Sequence, residues 1–69
     1  MQWHAVKARE VLKALLDSGW RIKRQKGSHR ILSKVGYTNF TFAFHDREEI
    51  GPRMLARIAK YTDITPDVF

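Results

Sequence analysis

The spacing of apolar residues along this chain changes from helical to strand-like and back, and each change marks an element. Between residues 5 and 18, Ala8, Val11, Leu12, Leu15 and Leu16 recur at intervals of three and four, which predicts a helix with one apolar stripe. Lys7, Arg9, Glu10, Lys13 and Asp17 occupy its other side. Gly19 follows at the position where a helix end takes a left-handed residue. From 20 to 25 the period drops to two, with Trp20 and Ile22 expected to face the helix and Arg21 and Lys23 to face away. Residues 29–34 predict a second strand, whose facing is left open by the adjacent Ile31 and Leu32. Residues 35–37 connect it onward, with Gly36 the expected positive-φ residue. The clearest alternation is at 38–44, where Phe40, Phe42 and Phe44 share one face opposite Asn39, Thr41 and Ala43. Aromatics at strand spacing read as core, because a small domain needs large apolar side chains to close. A polar loop at 45–49 leads to Pro52, suited to the first turn of a helix over 52–62. Met54, Leu55, Ile58, Ala59 and Thr62 form that helix's stripe, and Thr65-Pro66 predicts the start of a short further helix ending at Phe69.

The order is helix, three antiparallel strands, helix. Two amphipathic helices over one face of a small sheet bury both stripes and the Phe row, so the expected fold is an α+β sandwich forming a single domain over residues 1–69. A chain this short buries about 60% of its unfolded surface. It has no cysteine, which excludes disulfides and thiolate metal sites. His45, Asp46, Glu48 and Glu49 are near-consecutive loop positions without the spacing of a zinc site, and neither metal nor cofactor is expected. Residues 1–5 hold no signal-peptide core, and no run of about 18 apolar residues could span a membrane, so a soluble, cytoplasmic protein is expected.

Charge narrows the class of partner. The formal net charge is +6 and the pI about 10.2. Residues 1–34 hold nine Lys or Arg against Glu10 and Asp17, while residues 35–69 balance to −1. One basic half beside a near-neutral half is the footprint of a polyanion binder. A membrane surface fits less well than nucleic acid, since no helix combines a basic face with a Trp-anchored apolar one.

The basic charge gathers around Arg24-Gln25-Lys26-Gly27-Ser28-His29-Arg30. Gly27 permits backbone angles that a side chain forbids, letting the chain reverse with its amides close to a ligand. Arg24, Lys26 and Arg30 supply charge for phosphates, Ser28 a hydroxyl, and His29 the side-chain type that exchanges protons near neutral pH. On these residues alone, an ordinary basic hairpin accounts for the run equally well.

Gly19-Trp20, then Arg24-Gln25-Lys26-Gly27-Ser28-His29, with the aromatic strand leading to His45 and the helix reaching Ile58, resembles the HicA family of bacterial toxins across residues 5–64. The resemblance implies a fold like a double-stranded-RNA-binding domain, of α-β-β-β-α order. It further implies a ribonuclease that cleaves mRNA, neutralised by an antitoxin partner, HicB, that covers the active site. The family's essential histidine lies in the Gly-Ser-His run, which here is His29. The chain departs from the family where a proline often precedes the second histidine region, here Ala43-Phe44-His45, and no role is carried to His45. It also lacks a Ser or Thr cap on the first helix and carries the extra lead Met1-Gln2-Trp3-His4. Metal-free RNA cleavage deprotonates a ribose 2′-OH, stabilises a crowded phosphate and protonates the leaving oxygen. His29 suits either proton transfer, and Lys26 is the nearest charge stabiliser, with Arg24, Arg30, Ser28 and the amides at Gly27 beside it. The alternative is a non-catalytic RNA-binding module, which would spread its contacts over about 16 base pairs. DNA binding is disfavoured, because neither helix is laid out as a recognition helix.

Overall fold

The computed structural model describes residues 4–64; the short helix expected at 65–69 and residues 1–3 of the lead lie outside the described residues. Its elements in order are β1 (Val6–Lys7), α1 (Ala8–Asp17), β2 (Arg21–Lys26), β3 (His29–Ser33), β4 (Phe40–Ala43), β5 (Glu49–Ile50) and α2 (Pro52–Thr62). The first helix therefore starts three residues later than its apolar spacing implied. Val6 and Lys7 instead pair antiparallel with Ile50 and Glu49, an extended state that suits β-branched Val6. No side chain caps α1 at Lys7. Loop carbonyls take that role: the Ala8 N–H donates to Glu48 O at 2.8 Å and the Arg9 N–H to Asp46 O at 3.1 Å, satisfying two of the orphan donors of the first turn.

The end of α1 is set by Gly19, at φ +103°. The Trp20 N–H donates to Leu15 O and the Gly19 N–H to Leu16 O, both at 3.1 Å, the paired bonds of a Schellman motif. The accompanying apolar contact falls to Trp20 and Leu15, which are both buried in the core. Around α1 the buried arc is Ala8, Val11, Ala14 and Leu15, with Leu12 at its margin. Leu16, expected within the stripe, is 39% exposed. It lies about 100° around the helix from Leu15 on the side away from Ala14, past the edge of what the sheet covers.

The three-stranded sheet runs β2-β3-β4, all antiparallel. Leu32 pairs with Phe40 and Arg30 with Phe42 across β3 and β4, so these four share the face towards the helices. Phe42 and Leu32 are fully buried there against Val11, Leu15, Leu55 and Ile58, with Phe40 and Phe44 packed at the margin. This resolves the facing of β3: Leu32 points into the core, and half-buried Ile31 lies on the other face. Ile22 does pair with Leu32, yet it stays 41% exposed rather than covered as expected, because β2 is an edge strand. Trp20 alone of that pair is buried.

α2 spans the residues its pattern predicted, with Pro52 in its first turn and Leu55, Ile58 and Thr62 buried. Thr62 Oγ1 donates to Ile58 O at 2.7 Å, which lets a hydroxyl sit in the core. Asp63 closes the helix in the left-handed region, at φ +61°. Two helices on one face of a three-stranded antiparallel sheet, in α-β-β-β-α order, make an α+β fold of the double-stranded-RNA-binding-domain kind. Among the described residues nothing covers the opposite face of the sheet.

Candidate nucleic-acid interface

The β2–β3 hairpin builds the site. Lys26 pairs with His29, so Gly27 and Ser28 form a two-residue loop. Gly27 has φ +59° and Ser28 does not enter positive φ, the pattern of a type II′ turn with Gly in its first central position. A Cβ on Gly27 would meet nothing within 4 Å, so the requirement for glycine here is conformational rather than steric.

A bulge then decides which cations accompany His29. The β2–β3 register slips between Ile22 and Arg24, leaving Lys23 as the extra residue. Without the slip, Arg24 and Lys26 would follow Ile22 onto the helix side, two and four residues on. With it, Arg24 lies opposite Ile31 and Lys26 opposite His29, both on the open face. Ala43 and Thr41, the β4 partners of His29 and Ile31, complete that face with small side chains that leave the imidazole uncovered. Among the described residues the ion pairs are Lys13–Asp17 and Arg30–Asp46, so Arg21, Lys23, Arg24 and Lys26 are exposed cations without a carboxylate partner. Such a surface attracts phosphates.

Arg30, grouped with Arg24 and Lys26 from the sequence, is placed elsewhere. Strand alternation turns it to the helix side, where its side chain is 13% exposed and Nη2 donates to Asp46 Oδ1 at 3.2 Å. Its Nη1 is buried without a partner among the described residues. The ion pair ties the hairpin to the loop that caps α1. Between them lies a cleft of about 360 Å³, lined by Gly27, Ser28, Arg30, His45, Asp46 and Arg47 together with Phe44. The continued β3–β4 register would set His45 opposite Gly27, which explains how a histidine 16 positions after His29 reaches the same turn. The sequence signal for this is the two-residue spacing of Ala43 and His45, unreadable until the pairing is known.

A double-stranded-RNA-binding-domain-like fold, with an exposed histidine flanked by unpaired cations on a tight hairpin, defines a class of small basic α+β proteins. Within that class the chain belongs to the HicA family: residues 8–64 match the family model described as HicA toxin of bacterial toxin-antitoxin. No curated protein and no solved structure matches the chain. Membership gives it a toxin role and implies an antitoxin partner. No helix among the described residues is long and apolar enough to cross a membrane.

Proposed function

We propose that the protein, acting as one domain over residues 1–69, is a metal-independent endoribonuclease that cleaves mRNA in the cytoplasm, with His29 as its proton-transfer residue. The observation that carries this reading is the pairing of His29 with Lys26 across the Gly27-Ser28 turn, on the sheet face to which the bulge also brings Arg24. A phosphate held by Lys26, Arg24 and the turn amides lies within reach of the imidazole. The ribose 2′-oxygen then attacks the adjacent phosphorus, the 2′ proton leaves to a base, and the bond from phosphorus to the 5′-oxygen breaks as that oxygen gains a proton. His29 performs one of these transfers, typically for a factor of about 10²–10⁴. Cations aimed at the phosphate stabilise the charge that builds there. Arg30, paired with Asp46, supports the turn from behind instead of contacting RNA directly.

The antitoxin is of the HicB type and covers this face. An unpaired row of cations favours an acidic partner through steering and complementary charge.

The test incubates purified protein, and His29→Ala prepared identically, with a long single-stranded RNA in EDTA. Fragments from the wild type alone are expected. If neither cleaves the RNA yet both retard it equally in a gel, the protein is a non-catalytic RNA-binding module instead.

A further inference from the structure

Away from the hairpin, where the end of α2 meets the β4 edge, a cleft of about 550 Å³ opens among Tyr37, Asn39, Thr41, Lys60, Tyr61 and Asp63. Tyr61 stacks on Phe40 with ring centroids 6.1 Å apart and planes inclined by 27°, yet 57% of the residue remains exposed. An aromatic ring supported from behind and open in front can continue the stack with a planar ligand. Asp63 is fixed beside it: its N–H donates to Ala59 O at 2.8 Å, and Oδ2 accepts from the Tyr37 hydroxyl at 2.9 Å. Among the described residues, Oδ1 has no partner and Lys60, which lines the cleft, has no carboxylate in ion-pair range.

We propose that this cleft is a guanine-recognition subsite for single-stranded RNA, in which the base stacks on Tyr61 and its Watson–Crick edge donates to the Asp63 carboxylate.

Single strands expose that edge and stack on aromatic rings. An ionised carboxylate only accepts. Guanine places two adjacent donors, N1–H and N2–H, on its edge. Adenine and cytosine set an acceptor nitrogen beside their amine, and uracil sets carbonyls on both sides of its single N–H, so all three present a repulsive atom. Lys60 is suited to the phosphate of the same nucleotide. The hydrogen bond to Asp63, and then its negative charge, raise the Tyr37 phenol above its ordinary pKa, so Tyr37 keeps its proton and continues to fix the carboxylate at neutral pH. Thr41, in the cleft, pairs with Ile31, which is two residues and about 7 Å along β3 from His29. Phe40 and Tyr61 lie on the helix side and His29 on the open face, so a base held here belongs to a neighbouring nucleotide, reached around the β4 edge, and not to the one cut. That link to cleavage rests on the ribonuclease reading, whereas the binding itself does not.

The experiment titrates the full chain with GMP, AMP, CMP and UMP, following backbone amides and Tyr ring resonances by NMR. GMP is expected to shift the Tyr61 ring and the Asp63 amide and to bind at least about fivefold tighter than the others, the lower end of paired-donor discrimination. Tyr61→Ala should abolish these shifts. Asp63→Asn, which tolerates the left-handed backbone and still accepts from Tyr37, sets an N–H against guanine's donors and should abolish the preference for GMP. Equal shifts from all four nucleotides, or shifts confined to Arg24, Lys26 and His29, overturn the proposal. So does a Tyr61→Ala protein that binds GMP normally but escapes neutralisation by its antitoxin, because the cleft then serves a protein partner. His29→Ala should bind GMP as the wild type does. GMP selectivity in a protein that cleaves no RNA would refute the ribonuclease reading alone, and cleavage without selectivity would refute this one alone.

Discussion

Removing the carboxylate of Asp46 separates a supporting role for Arg30 from a phosphate-binding one. The Arg30 side chain is 13% exposed and that of Asp46 59%, with 3.2 Å between them. Asp46→Ala leaves a largely buried guanidinium with one nitrogen already unpartnered and its carboxylate gone. Breaking a fully buried pair this way costs about 3–5 kcal/mol. Asp46 is mostly in water, which screens much of the attraction, so about 1–2 kcal/mol is expected here. The Asp46 carbonyl that accepts from the Arg9 N–H survives the change, so the cap on α1 is retained. Arg30→Met removes the buried charge while filling its space beside Phe42, and should fall within about 1 kcal/mol of wild type. Urea denaturation resolves these differences, because a domain of this size has about 3–10 kcal/mol of total stability. The second readout is the salt dependence of binding to single-stranded RNA by each variant in a His29→Ala background. Lys26→Ala should reduce the slope of log K against log salt by about 0.7, the loss of one phosphate contact, and Arg30→Met should leave it unchanged. Arg30 has no supporting role if Asp46→Ala stays within about 0.3 kcal/mol of wild type, and it binds phosphate after all if Arg30→Met flattens the salt slope as much as Lys26→Ala does.

Gly27→Ala forces a side chain into φ +59° with open space around it, so it should cost about 1–2 kcal/mol through backbone strain alone, and Gly27→Asn clearly less; thermal melts of the two variants decide this. Phe42→Ala opens the centre of the core, where the ring is fully buried and meets Phe44 edge-on at 5.1 Å. It should lose about 3–5 kcal/mol, enough to broaden or abolish the cooperative transition seen by circular dichroism. The Tyr37 phenol is raised from its ordinary 10.0 by donating to Asp63 and by that residue's charge. Its bond therefore stabilises the fold fully below pH 10 and is lost as pH rises through the higher folded value. Wild type should exceed Tyr37→Phe in urea midpoint at pH 8, and the gap should narrow as pH rises above 10.

Much of the architecture was legible because it is local. The helical stripe of α2, the left-handed stop at Gly19, the Phe alternation of β4 and the tight turn at Gly27 each depend on residues within a few positions of one another. Long-range partners were not legible. Val6–Lys7 abandons the helix because Glu49–Ile50, more than 40 residues away, offers it a ladder, and α1 is capped by carbonyls from the 46–48 loop. The adjacent charges of Arg24, Lys26 and Arg30 looked like one cluster, yet they divide between two faces.

The sequence by itself determined the α-β-β-β-α order, the basic hairpin and the residues of the Gly-Ser-His run. Tertiary structure decided which way they point. A single unpaired residue, Lys23, shifts the register of β2 by one position, and because side chains alternate with a period of two, that shift reverses the facing of everything after it. No local pattern specifies such a slip; it is fixed by how an edge strand matches β3 while Trp20 stays in the core. It is the reason Arg24 and Lys26 stand beside His29 on the open face, while Arg30 turns inward to Asp46.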